Sequence, residues 1–352
     1  MRVLVLGGRG NFGARIVRAL AGEPEMEVLV GGRPDLALDA PNFARNLAAL
    51  KPSLVIHCVG PFQGQDYRVA LASLAAGAHY LDLADGRDFV AGFSTAVDEA
   101  AKRAGKLALT GVSTLPALSS AVVDHLRVGF SALHAIDCVI APGQHAPRGE
   151  ATLAAVMSYA GRPFTVWNEG AWREVHGWRG LEWREVHPLV PRLSAYCDVP
   201  DLELFPQRYD GVKRVVFRAA LEIAIQHRGL AMLAWLRQWG LPLPIEKLAR
   251  PMECAAQLLD RLGSGNGAMN VVLEAQGQDG RARKVRWHVH APNNHGPEIP
   301  CMAAILLARK LARGELSATG AAPCMGWLSL DEFAPQFAKW NMTTGVTELE
   351  TR

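Results

Sequence analysis

Short apolar runs alternate with Ala-rich stretches through the first third of the chain. VLVLG, EVLVGG, SLVIHCV, HYLDLA and KLALTG have the length and composition of buried strands. Between most of them, NFGARIVRALAG, YRVALASLAAG and FVAGFSTAVDEAAKRAG carry helical spacing. Strands that are apolar throughout, alternating with helices, predict a parallel sheet covered on both faces. After about residue 130 the rhythm changes. KRVVFRAA, AMNVVLEAQG and ARKVRWHVHA alternate polar with apolar residues, the period of antiparallel strands with one solvated face. EIPCMAAILLARKLARGEL is helical again. The pattern predicts an α/β fold: a parallel-sheet domain over 1–128, an α+β domain with a mostly antiparallel sheet over 129–293, and a helical segment over 294–352 that packs back on the first domain. Residues 163–211, rich in Trp, Pro and Gly, read as the densest irregular part.

At 352 residues the chain is long enough for two cores. A net charge of +3, with no block of five or more Lys/Arg, argues against a nucleic-acid partner. The six cysteines are scattered, without C-x-x-C pairs or His at metal spacing, so reduced thiols and no bound metal are expected. Reduced thiols predict a cytoplasmic protein, and Arg2, running directly into the first strand, predicts no cleaved leader. LEIAIQHRGLAMLAWLRQWGLPLP is the only membrane candidate, and His227 with Arg228 leaves its apolar run too short to span. It reads as a buried or amphipathic helix, with an interfacial or partner-docking helix as the alternative.

Gly8, Gly10 and Gly13 form G-x-G-x-x-G between a strand and a helix, the fingerprint of a Rossmann-type dinucleotide turn. Gly8 allows the tight turn, Gly10 the approach of a pyrophosphate, and Gly13 the close packing of helix on strand. Arg9, Asn11 and Phe12 complete the expected cofactor contacts. The second strand ends at Arg33 with no carboxylate at its tip. Arg33, and Arg9 as a second candidate, suit the 2′-phosphate of NADP(H), which a carboxylate would repel. Asp35 keeps NAD possible, although Pro34 is expected to turn it away. His57, inside its strand, reads as a core histidine.

Three further loops, GPFQGQD, DLADGRD and TGVSTLP, each follow a strand, at the sheet edge where α/β proteins bind ligands. Together LGGRGNFGARI, the strand-end GGR, CVGPFQGQDYRVALASLAAGAHYLDLADGRDF and GVSTLPALSS resemble the saccharopine dehydrogenase-like oxidoreductases over roughly residues 1–125. HGPEIPCMAAILLARKLARGEL is similar to the helix by which such proteins return to the nucleotide domain. The resemblance implies a Rossmann domain, a second α+β domain bearing substrate and dimer contacts, and NAD(P)-linked chemistry. It also implies that Gly60, Pro61 and Phe62 border the nicotinamide ribose and ring, that Asp82 and Asp85 stand at the cleft mouth, and that Gly111 closes the nicotinamide side. Residues that would hold the two carboxylated arms of saccharopine are not matched, so the substrate is left unassigned.

Hydride transfer to a C=N bond asks little of a proton donor, because an iminium arrives protonated; C=C or C=O needs an acid within reach. Asp82 and Asp85 from the first domain and His145 from the second are the candidate catalytic groups, with Arg87, Arg148 and Trp178 as substrate contacts. Asp85 in DGR has a turn-forming alternative, His145 a solvated-loop one, and Arg148 with Glu150 a helix-start one. Trp167, Trp172, Trp178 and Trp183 suit an apolar substrate pocket, or equally core or dimer packing. Tyr209 and Lys213 in YDGVK match the Y-x-x-x-K spacing of short-chain dehydrogenases, but Pro206 and Gly211 argue for a loop. The reading is a homodimeric NADP(H)-dependent oxidoreductase acting at an imine/amine or enoyl carbon of a small molecule. Its rival is a non-catalytic NADP-binding redox sensor or scaffold.

Overall fold

The computed structural model describes residues 1–32, 36–147, 150–241 and 243–350. They divide into two compact units, one of residues 1–121 and 297–328, the other of 122–296 and 329–352. Of the expected third segment, 294–352, residues 297–328 fall in the first unit and the remainder in the second.

The first unit alternates as its apolar runs predict: β1 (Arg2–Leu6), α1 (Asn11–Leu20), β2 (Glu27–Gly31), α2 (Phe43–Ala49), β3 (Leu54–His57), α3 (Arg68–Ala75), β4 (His79–Asp82), α4 (Arg87–Ala104) and β5 (Leu107–Thr110). Helix α4 ends because Gly105 takes a left-handed conformation, φ 61°, after a last turn carrying Lys102 and Arg103. The strands pair in parallel in the order β2-β1-β3-β4-β5. A sixth, β14 (Gly320–Pro323), joins in parallel beside β5. Its GAAP sequence has no β-branched residue, which is why apolar patterning overlooked it. The chain leaves β1 toward β2 on one side and returns to β3 on the other, so the topological switch point lies between the ends of β1 and β3.

The second unit begins within α5 (Ser119–Arg127) and continues with β6 (Phe130–Ala141), α6 (Glu150–Ser158), β7 (Pro163–Asn168), β8 (Ala171–His176), β9 (Glu182–Arg184), β10 (Arg192–Tyr196), α7 (Asp201–Arg208), β11 (Arg214–Ala220), α8 (Ala224–Gln238), α9 (Ala249–Leu258), β12 (Gly267–Gly277) and β13 (Ala282–Ala291). Helix α10 (Ile299–Ala312), rich in Ala and Leu, belongs to the first unit with β14. Helix α11 (Leu330–Lys339), opened by a Ser329–Glu332 capping box, and β15 (Thr343–Leu349) close the second.

Its sheet runs β15-β13-β12-β6-β11-β10-β9 and is antiparallel except where β11 lies parallel to β6. Residues 163–211, read as irregular, supply β7 to β10 and α7; β7 and β8 form a hairpin in which Trp167 faces Trp172. One sheet face is apolar, through Ile136, Cys138, Met269, Val271, Leu273 and Trp287, with Phe337 of α11 on Trp287. The other mixes a small apolar cluster, Val139, Ala141, Val186, Ala220 and Ala268, with buried polar groups. Arg184 Nη1 donates to Asp137 Oδ2 at 2.9 Å, and the Asn270 amide pairs with both backbone groups of His187 at 2.9 Å. Among the described residues no helix is long and apolar enough to cross a membrane, and no group of three or more His, Cys, Asp or Glu could hold a metal ion.

Candidate functional site

The switch point is built from glycine. Gly7 leaves β1 at φ 76° and donates to Gly31 O at 3.0 Å; Gly8 N donates to Val5 O at 3.2 Å and Gly10 N to Gly7 O at 2.8 Å. A Cβ on Gly13 would stand 2.2 Å from Gly7 O, so only glycine lets α1 start this close to the turn. Gly10 caps α1 without a side chain, and the first turn holds no acid. The opening amides, which have no intrahelical acceptor, and the positive end of the helix dipole are therefore left to an anion. Arg15 donates through Nη1 to the backbone and side-chain oxygens of Asn11, and its Nε lies 2.9 Å from Glu298 Oε1, tying α1 to the start of α10. Arg9 is exposed beside this turn. Arg33 and Asp35, which bear on the choice of dinucleotide, lie outside the described residues, as does Arg148.

Across the switch point Cys58 N donates to Leu6 O at 2.9 Å, and Gln65 Nε2 clamps the next loop by donating to Val59 O and Pro61 O at 2.8 and 2.7 Å. The Gly60–Pro61 peptide is cis, and Pro61 is exposed. Phe62 departs from the expected contact with a nicotinamide. It is 3% exposed, edge-on to His57 at 5.0 Å and tilted on Phe89 at 5.4 Å, because the loop folds its apolar ring into the aromatic cluster beneath. His57 is a core histidine as expected: Nδ1 lies 3.0 Å from the Tyr80 hydroxyl, and burial lowers its pKa to about 3.

Asp82 is likewise not at a mouth. As the last residue of β4 it is fully buried, and Oδ1 accepts from Thr110 Oγ1 at 2.8 Å, Gly111 N at 2.9 Å and Ala84 N at 3.0 Å. Burial pushes its pKa up to about 6 against those bonds. The Tyr80 hydroxyl also acts on this carboxylate, but its short contact is to His57, and Oδ2 keeps no partner within hydrogen-bond geometry. Asp82 therefore anchors the loop at Gly111, where φ is 66° and a Cβ would meet Pro116 Cδ at 2.5 Å.

Asp85, by contrast, is accessible. Its side chain is open to solvent, yet the surrounding protein desolvates it enough to raise its carboxyl, and Gln63 Nε2 donates to Oδ1 at 3.3 Å. Arg87, the first residue of α4, is half-buried. The carboxyl edge of one sheet thus gathers Gly8 to Gly13, Gly60, Pro61, Asp85 and Gly111.

In the second unit His145 is exposed on the loop after β6. Its Nε2 donates to Asp260 O at 2.7 Å. Trp178 is 2% exposed, donates to Val156 O at 3.0 Å and packs on His227 at 5.3 Å, which makes it interior rather than a pocket wall. Trp167 is paired with Trp172, and Trp183 stands exposed on β9, so the four indoles do not share a lining. Tyr209 and Lys213 lie between α7 and β11, outside any helix. Sequence reasoning did not single out the anchors Thr110, Gln65 and Glu298, although each lies in a quoted motif, TGVSTLP, GPFQGQD and HGPEIPCMAAILLARKLARGEL.

The chain is similar in structure to apo saccharopine dehydrogenase (L-Glu forming) from Saccharomyces cerevisiae, with a TM-score of 0.66 and 10% identity over 99% of this chain and 100% of that one. It is also similar to the DAP dehydrogenase of C. glutamicum, solved with DAP, with a TM-score of 0.50 and 14% identity over 96% and 98%. No family profile and no curated protein matches the sequence. The fold, a parallel N-terminal sheet followed by a second, mixed one, is shared with the yeast saccharopine dehydrogenase.

Proposed function

We propose that the protein is an NADP(H)-dependent oxidoreductase that moves a hydride to or from an imine/amine carbon of a small molecule, with an enoyl carbon as the variant. The observation that carries this reading is the acid-free, side-chain-free start of α1 at the switch point, where a Cβ on Gly13 would strike Gly7. The fold shared with dehydrogenases named for saccharopine and DAP supports chemistry at an amine-bearing carbon. A nicotinamide bound here supplies or accepts the hydride.

The amides at residues 11–13 would hold the pyrophosphate, and Arg9 with Arg33 the 2′-phosphate that favours NADP over NAD. Gly60 and Pro61 would border the ring, and Asp82 keeps the Gly111 loop in place through its three accepted bonds. When a protonated imine is reduced, the new C–H bond forms as the C=N π pair moves onto nitrogen, and no further proton is needed. For a neutral C=N or C=C, Asp85 holds the proton to be delivered, its carboxyl raised by desolvation and oriented by Gln63.

Fluorescence titration with NADPH and NADH, on wild type and Arg33→Asp, followed by a turnover screen of imines, tests this. Tighter NADPH binding that the variant loses, with turnover, is expected. Binding without turnover would favour the sensor reading, and no binding of either nucleotide would end the enzyme reading.

A further inference from the structure

We propose that the outer face of α8 docks on an anionic lipid surface. The helix turns His227, Leu230, Ala231 and Ala234 inward. It leaves Ile225, Met232 and Trp235 exposed at 67%, 58% and 41%, and Trp239 and Leu241, just past its end, at 74% and 45%. Positions 225, 228, 232, 235 and 239 follow one another at three- and four-residue steps, so Arg228 and the apolar groups share one stripe. Single exposed apolar residues are ordinary; a continuous stripe holding two indoles 5.9 Å apart is not.

Charge selects the occupant. From Ile223 to Ile245 there is no Asp or Glu, while Arg228 and Arg237 are present. Beside the stripe lies an open hollow of about 320 Å³ lined by Arg179, Leu181, Arg228, Ala231, Met232 and Trp235. The Arg179 side chain is held there by Gln238 Oε1 at 3.1 Å. A second copy of this face would bring arginines against arginines with no acid on the helix to offset them. A lipid surface answers both features. Its acyl boundary takes Ile225, Met232 and the indole bodies, the indole N–H groups stay at headgroup level, and the guanidinium groups of Arg179 and Arg228 meet lipid phosphates. Free phosphate would satisfy the arginines but not Trp239 or Ile225. The helix would lie in the plane of the interface, since it is too short to cross.

The test is co-sedimentation of the full-length protein with phosphatidylcholine vesicles, alone or containing 30 mol% phosphatidylglycerol as a chosen probe composition, at low and high salt. The proposal expects binding to the anionic vesicles at least about tenfold stronger than to neutral ones, falling with salt and unaffected by inorganic phosphate at low millimolar concentration. Trp235→Glu/Trp239→Glu and Arg228→Glu should each reduce it at least about tenfold with the thermal midpoint unchanged, since these side chains are exposed. Absence of vesicle binding overturns the proposal, as does binding that both variants retain. A wild-type dimer that the double variant converts to monomer, without vesicle binding, assigns the stripe to a second copy instead.

Discussion

The turn after β1 and the loop after β6 both stand at the carboxyl end of a strand, yet they are built in opposite ways. Residues 7–13 hold their shape through side chains that are missing, with backbone bonding backbone and no room for a Cβ at Gly13. Residues 142–146 hold theirs through side chains, with the Glu222 carboxylate at the centre. Glu222 Oε2 accepts from Gln144 N at 2.7 Å and Ser264 N at 3.1 Å, while Oε1 accepts from Ser264 Oγ at 2.7 Å and lies 3.3 Å from Arg192 Nη2. Arg192 in turn donates to Pro142 O at 2.8 Å and Asn266 O at 3.1 Å. Burial alone would raise the Glu222 carboxyl; Ser264, Gln144 and Arg192 together bring it below its ordinary value. One site is vulnerable to added atoms and the other to removed ones.

The largest expected effect lies at the carboxylate. Glu222→Ala leaves Arg192, 3% exposed, without its anion, at a cost of about 3–5 kcal/mol in chemical denaturation. A cost below about 1 kcal/mol would show that the loop is held by other groups. Asp82 is intermediate, a side chain holding a glycine loop. Its pKa rises from 3.8 to about 6 on folding, so the folded state binds the proton more tightly and the stability it contributes is lost as pH rises through that interval. The loss amounts to about 3 kcal/mol at most. His57 acts the other way: its folded pKa is depressed to about 3, so its contribution is present above 6.5 and lost as pH falls. Urea melts of wild type and Asp82→Asn at pH 4 and 7, in which His57 cancels, should show the variant gaining on wild type with pH. A parallel pair of curves would deny the buried charge.

Adding an atom gives a smaller loss of stability. Gly13→Ala should cost about 1–3 kcal/mol by displacing α1 from Gly7, and should weaken nucleotide binding at least about tenfold, read by thermal melting and fluorescence titration. If both are unchanged, the turn yields more readily than its geometry indicates. Arg9→Ala should be smallest, weakening NADPH a few-fold and leaving NADH as it was, because Arg9 is exposed. An equal effect on both nucleotides would place its action away from the 2′-phosphate.

These differences follow what could be read in advance. Gly8, Gly10 and Gly13, the loops at Gly60 and Gly111, and five strands of the parallel sheet were legible, since each depends on local patterning or on a residue whose backbone freedom is itself the signal. Strand β14 was not, because GAAP is a strand only beside β5. Nor were the roles of Asp82 and Phe62, which the resemblance set at the cofactor cleft, or of Trp178, for which pocket and core remained open; packing drew all three inside.

By itself the sequence determined the alternation of strand and helix, the nucleotide-type turn and the change to an antiparallel second half, all of which arise from neighbours within a few residues. Only the tertiary structure decided that Asp82 anchors Gly111 rather than facing outward, that Asp85 is the carboxylate left accessible, and that Glu222, 78 residues beyond Gln144, holds the loop after β6. The physical reason is range. Apolar periodicity and glycine conformation are properties of the local chain, whereas the burial of a charge and the donors that satisfy it depend on segments that meet only when the sheets form.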